Sequence, residues 1–352
     1  MKSSFMTAVK NFTTTSLLLN KEKIMNRVKI LIDTQGGDHG APVLIKGAAA
    51  ALEKFEELCC ILVGDEDLIK EECVKNGMPM ARVEIMDARG EITNFDNPAE
   101  AIFQKTDSSM LAALQALAVR SDIFGMLTAG NTGVLLTGAI RYVGGKERVR
   151  PALAAVLPSA DGNFTCLVDT GATVDCTPQM LHHFALLGSD FMKKTYGIEN
   201  PRIGLLSNGS ESTKGNKLVK ETYPLLAEDE SMTFVGNVEG NAALSGVCDV
   251  LVCDGFAGNQ VLKVTEGTAA RVITDIMKYA HRENSDEIKK LGAHLMRIYD
   301  IGSLGGGVIL GSEKPIIKMR GNAGESAIVN TSEMLLNMAH HKSVFDKNRN
   351  KI

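Results

Sequence analysis

The stretch Ser121-Asp122-Ile123-Phe124-Gly125-Met126-Leu127-Thr128-Ala129-Gly130-Asn131-Thr132-Gly133 decides the fold. Residues 123–127 form a short apolar run, as a buried strand requires. Residues 128–133 are small and polar, and a helix is predicted over 134–142. Strand, glycine turn and helix start thus follow in the order that phosphate sites use. Gly130 and Gly133 let the backbone approach a ligand, and the free N–H groups of a helix start favour an anion. Taken alone, the stretch fits an ordinary strand-to-helix connection equally well. Similar junctions recur at 169–173, 207–216 and 254–260, and the repetition favours a ligand cleft.

Working outward, a strand at 28–33 runs into Asp33-Thr34-Gln35-Gly36-Gly37-Asp38-His39-Gly40-Ala41-Pro42. Pro42 suits the first turn of a helix over 43–54. Glycines, two carboxylates and a histidine gather where open α/β sheets place their ligand crevice. The G-x-G-x-x-G fingerprint is missing, which argues against a dinucleotide. Strands are further predicted at 60–64, 82–86, 152–157, 163–168, 201–206, 233–236, 248–253 and 315–318. Helices alternate with them, the last three at 260–281, 285–298 and 323–340, with a flexible turn at Gly305-Gly306-Gly307. This alternation implies a three-layer α/β/α fold with a mostly parallel sheet and helices on both faces. Residues 1–25 are expected to stand outside a single domain at 26–345, and 346–352 to be a frayed tail.

Three single residues carry local arguments. Lys105 beside Ser108 and Ser109 suits either a phosphate or simple helix capping. Lys263, read as lying in the first turn of its helix, opposes the dipole unless an anion sits nearby. Cys176 is a conceivable nucleophile, but neither His182 nor His183 is placed by sequence to activate it, so a structural thiol is favoured. The order around Lys214 is not G-x-x-x-x-G-K-[ST], so the 207–216 loop is no Walker motif.

Bulk properties narrow the function. The 352 residues are 44% hydrophobic and 23% charged with a net charge of -4, which fits a soluble α/β protein and argues against general nucleic-acid binding. Trp is absent and aromatics are 5%, leaving no platform for stacked bases. The seven cysteines lack C-x-x-C spacing, so neither a disulfide framework nor zinc is indicated. No apolar run reaches membrane-spanning length. A cytoplasmic protein without metal or cofactor is expected.

The junctions together are specific. Asp33-x-x-Gly-Gly-Asp38-His39, Asp107-Ser-Ser-Met110, Ala129-Gly-Asn-Thr-Gly133, Arg150-Pro-Ala-Leu153, Lys214-Gly-Asn216, Gly236-Asn-Val-Glu239 and Asp254-Gly-Phe-x-Gly-Asn259 occur in one order. The chain from about residue 27 to 340 resembles the phosphate acyltransferases of bacterial phospholipid synthesis, the PlsX family. The resemblance implies a fold like that of phosphotransacetylases and isocitrate dehydrogenases. It also implies transfer of a long-chain acyl group from acyl carrier protein to inorganic phosphate, giving acyl phosphate for glycerol-3-phosphate acylation. By the same resemblance the enzyme is a homodimer with peripheral contact at the inner face of the membrane, working beside the downstream glycerol-3-phosphate acyltransferase. Lys214 and Asn259 fall on positions expected to be catalytic, Lys214 fixing phosphate and Asn259 orienting thioester or phosphate. Asp33, Gly36, Gly37, Asp38, His39, Ser109, Asn131 and Thr132 are expected to line the same cleft, with Lys105, Asp169 and Lys263 counted among the substrate-binding residues.

There are departures from the family pattern. Thr173 and Ser207 stand where asparagines are usual, and Arg320-Gly321-Asn322-Ala323-Gly324 replaces the usual His-Gly-Ser-Ser-Asp. The tip before the glycine turn is shorter by roughly two helical turns. A helical face carrying Ile288, Leu291, Leu295 and Ile298 remains there, flanked by Lys289, Lys290 and Arg297. The competing readings are a phosphotransacylase that takes coenzyme A thioesters, a catalytically weakened carrier- or lipid-binding regulator, and, last, a dehydrogenase.

Overall fold

Val28–Asp33 (β1) is buried along almost its whole length, so an apolar run rather than an alternating one is what this strand needs. The computed structural model describes residues 27–144, 150–299 and 306–340. From β1 the chain passes through α1 (Gly40–Lys54) to β2 (Leu58–Gly64), then through α2 (Glu66–Lys75) to β3 (Val83–Asp87). Two helices, α3 (Pro98–Gln104) and α4 (Ser109–Val119), precede β4 (Gly125–Thr128). After β4 comes α5 (Thr132–Gly138), which widens into a π-helical turn at Ala139–Val143. β5 (Ala152–Pro158) and β6 (Phe164–Val168) pair antiparallel. They lead to α6 (Pro178–Tyr196), β7 (Arg202–Ser207), α7 (Lys217–Ala227), β8 (Thr233–Glu239) and β9 (Val250–Val252). A helical pair, α8 (Gly255–Arg282) and α9 (Asp286–Tyr299), comes before β10 (Gly307–Leu310), β11 (Ile316–Lys318) and α10 (Glu325–His340).

Among the described residues the strands form one sheet in the order β3-β2-β1-β4-β11-β10-β5-β6-β9-β7-β8. The pairings are parallel except where β10 meets β11 and β5, and where β5 meets β6. Three reversals in succession make the two parallel blocks, β3 to β11 and β6 to β8, run in opposite directions. The expected mostly parallel sheet is present, with this reversal at its centre. β10 was not foreseen: Gly307, expected in a flexible turn, opens a strand, while Gly305 lies outside the described residues.

Alternation along the strands divides the core by face. Ile30, Ile32, Leu127, Ala154, Val168, Val250 and Ile317 point to one side and share a single cluster with α1, α6 and α10. On the other side the core is split. Leu31, Met126, Leu153 and Ile316 pack under α4 and α5, whereas Leu157, Leu167 and Leu251 pack under the start of α8. The interval between these clusters, over β11, β10 and β5, is where the chain leaves a cleft.

Candidate active site

The cleft encloses about 690 Å³. Leu153 and Ala155 of β5 and Gly307 of β10 form its floor, and Asn259, Leu262, Lys263 and Glu266 of α8 form one wall. Asp38, Thr132 and the Met319–Asn322 segment bring in the opposite wall from the ends of β1, β4 and β11, with Lys318 of β11 on the floor beside Gly307. Among the titratable lining residues, Lys263, Lys318 and Arg320 outnumber Asp38 and Glu266, so the cleft favours an anion.

The β1–β4 side is built on Asp33, which is buried beneath the cleft rather than exposed in it. Its carboxylate accepts from Ser109 Oγ at 2.6 Å and from Thr128 Oγ1 at 2.7 Å. Thr128 Oγ1 accepts in turn from the Gly130 N–H at 3.0 Å. Burial pushes the Asp33 carboxyl above the usual carboxylate range, and the two hydroxyls pull it back. Gly36 is glycine because of close approach, since a Cβ there would lie 2.6 Å from Gly130 N. Gly37 has φ +117, and the following Asp38 N–H donates to Gly321 O at 2.7 Å, tying the β1 loop to the segment after β11. Ser109 and Asp33 therefore lie beneath the cleft and outside its lining.

The opposite wall is hung on Asp169. Its buried carboxylate accepts from the backbone N–H groups of Leu153, Gly171, Ala172 and Thr173, the last at 2.7 Å. Desolvation pushes this carboxyl up while those donors lower it. The Gly255 N–H donates to Thr173 O at 2.8 Å, and a Cβ at Gly255 would stand 2.6 Å from that oxygen. A Cβ at Gly258 would overlap the Asp169 carbonyl oxygen. Asp254 caps α8 by accepting from the Ala257 N–H at 2.8 Å. The Asp-Gly-Phe-x-Gly-Asn motif is thus a helix start pressed onto the Asp169 turn, and Asn259 emerges from it into the cleft. The Asn259 amide makes no hydrogen bond to another described residue and stays available. At Thr173, where the family pattern differs, the contacts that hold the two segments together come from the backbone.

The other expected site residues divide between the cleft lining and its surroundings. Thr132 and Asp38 line the cleft, and His39 is exposed at the start of α1. Asn131 caps α5 through Val134 N at 3.1 Å and donates to Thr93 O at 3.0 Å. The Lys105 ammonium sits on Asp96 at 2.7 Å and on Glu91 O at 3.0 Å, outside the cleft lining. Lys263 does line the cleft, but not for the reason given by the helix dipole. α8 begins at Gly255, which places Lys263 in its third turn, where its ammonium meets Glu266 at 3.1 Å. Lys214 is exposed on the loop after β7, carries no ion pair among the described residues, and lies outside the lining. β7 runs parallel to neighbouring β9, so the Lys214 loop and α8 leave the sheet at the same edge. The Cys176 thiol donates to Thr173 O, and burial pushes it up to about 12, away from the thiolate that a nucleophile needs.

Two charged lining residues escaped sequence reasoning, Lys318 and Glu266, and Arg320 stood out in sequence only as a departure from the family pattern. Arg320 and Glu266 form an ion pair that crosses from the β11 end to α8. One signal was available for Lys318, a charge closing the apolar run of a short strand at its C-terminal end.

Residues 28–344 match the model of a family described as "Fatty acid synthesis protein". A phosphate acyltransferase from Streptococcus equi subsp. zooepidemicus is 40% identical over 320 residues, covering 88% of this chain and 93% of its own. One from Brevibacillus brevis is 37% identical over 315 residues, with 86% and 91% covered. In structure the chain is similar to a phosphotransacetylase from Streptococcus pyogenes, with a TM-score of 0.62, 17% identity, and 91% and 96% of the two chains covered. At that identity the likeness speaks for the fold alone. With relatives this similar along nearly its whole described length, the chain belongs to the phosphate acyltransferase family and is an acyltransferase.

Proposed function

We propose that the enzyme moves a long-chain acyl group from the thioester of acyl carrier protein to inorganic phosphate, releasing acyl phosphate and the carrier thiol. The observation that carries this reading is the unpartnered Asn259 amide facing a predominantly cationic cleft. Phosphate attack on a thioester needs the nucleophile's charge held and the developing oxyanion met by a donor. An amide beside lysines supplies both, and the half-buried Cys176 thiol, pushed up to about 12, favours direct transfer over an acyl-enzyme.

The test is to supply palmitoyl-carrier protein and phosphate and to follow free thiol, with palmitoyl-coenzyme A as the competing donor. Faster turnover with coenzyme A would transfer the reading to that donor. No turnover with either would favour a binding regulator.

Lys214 would supply a further charge from the loop after β7, which leaves the sheet at the same edge as α8. Lys214→Ala is expected to lower turnover by about 100-fold or more, as removal of a charge-stabilising group does, with little change in thermal midpoint because the side chain is exposed. Full turnover at saturating phosphate would leave it only a binding role.

The homodimer and the membrane contact both bear on the α8–α9 pair. Gly292 packs against Met277, while Val264, Val272, Tyr279 and Leu291 remain exposed, Leu291 at 50%. No described helix is long and apolar enough to span a membrane. A second copy of the chain is the proposed cover, with weak, salt-sensitive attachment of the α9 face to anionic lipid. Light scattering should give a dimer mass. Sedimentation with phosphatidylglycerol vesicles should pellet the wild type at low salt only, and Leu291→Glu at neither salt. A monomer mass with full activity, or equal pelleting of the two proteins, would overturn the respective part.

A further inference from the structure

Lys318 closes β11 in the middle of the sheet, hydrogen-bonded into register between Thr128 of β4 and Gly307 of β10. Alternation from Ile316 puts its side chain on the cleft face, and it lines the cleft floor. A lysine held there is costly to bury unless something uses the charge. Its ammonium donates to Ala129 O at 3.1 Å and to Met319 O, and among the described residues no carboxylate bonds to it. An ammonium has three donors, so one N–H remains. The neighbouring strand presents Gly306 and Gly307, which put no side chain over it. Above the floor, Lys263 and Arg320 both pair with Glu266.

We propose that Lys318 is a catalytic residue that holds the attacking phosphate from the cleft floor, with Arg320 and Lys263 turning from Glu266 toward the same anion. This rests on the reading of phosphate as acyl acceptor. In the step, a hydrogen phosphate oxygen bonds to the thioester carbonyl carbon and the C–S bond breaks, its electron pair leaving on sulfur. The proton from hydrogen phosphate ends on the carrier thiolate, so the Lys318 ammonium keeps its own. Its charge state matters all the same. Burial pushes it down to about 8, the Asp38 and Asp33 carboxylates raise it, and Lys263 on the opposite wall lowers it further. The Glu266–Arg320 pair adds nearly cancelling charges.

The experiment compares wild type, Lys318→Met and Lys318→Arg in the carrier-thiol assay across phosphate concentration and pH, with thermal melts in added inorganic phosphate. Lys318→Met is expected to raise the phosphate KM on the order of 10- to 100-fold, the size of one lost charge-assisted hydrogen bond. It should also lose the phosphate-dependent rise in melting temperature. In the wild type, phosphate use should fall as pH rises through about 8, and Lys318→Arg, which stays charged, should remove that fall. A lowered melting temperature in Lys318→Met with an unchanged phosphate KM would make Lys318 a strut between strand ends and overturn the proposal. If Lys318→Met fails to fold, an unaltered alkaline fall in Lys318→Arg overturns it instead. A wild type that ignores phosphate would sink the functional reading itself, a separate outcome.

Discussion

Asn259→Asp is expected to lose about 100- to 1000-fold in turnover, the penalty for removing one oxyanion donor, while Asn259→Ser keeps part of the activity. The amide stands free at the head of α8 and can donate to an oxyanion. An ionised carboxylate can only accept, and it would also repel phosphate across a cleft whose positive charge exceeds its negative. Serine retains a donor on a shorter arm. Steady-state rates for the two variants, with circular dichroism to confirm folding, decide the matter. Equal activity in both would remove the donor role from Asn259.

Gly258→Ala, a single methyl, is expected to inactivate the enzyme by another route. The added carbon would overlap the Asp169 carbonyl oxygen, which is backbone and held by a buried turn. Either α8 or the Asp169 turn must shift, at a cost of about 1–3 kcal/mol or more. Any such shift carries Asn259, the next residue, away from its position. The expected result is a lower melting temperature together with loss of activity at temperatures where the variant is still folded. Wild-type kcat and KM in that variant would show that the close approach at Gly258 does not position the site.

Much of this was legible from sequence because it depends on neighbours in the chain. Strand β1 and its loop and the glycine junction after β4 follow from short-range rules. The head of α8 was misread as a loop because Gly255 and Gly258 resemble breakers. Neither has a positive φ, and both are glycine so that another segment can come near. That five-residue error also misplaced Lys263 along its helix. β10 has four residues and begins with glycine, too little pattern to separate it from a turn. Lys105 and Asn131 look like ligand-binding residues in sequence, yet both donate to the 91–96 segment, and the Asn131 oxygen accepts from Val134 N. The pairing of Arg320 with Glu266 was invisible for the opposite reason, since only the folded sheet brings the two together.

The divided core over β10 and β5 has a mechanical consequence. The continuous cluster on the far face works as a rigid back, because bending it would open apolar packing from α1 through α6. On the front, α4 with α5 and α8 rest on separate clusters and share no apolar seam across the gap. A side-chain tie that spans it is ionic, Arg320 to Glu266, and an anion can exchange with such a tie without exposing hydrocarbon to water. Motion is therefore expected to concentrate in the α8 jaw, with the strands beneath as its hinge, and an anion that displaces the tie is expected to reset its grip. Hydrogen exchange at the start of α8 should slow on adding phosphate while the α1 and α6 amides keep their rates.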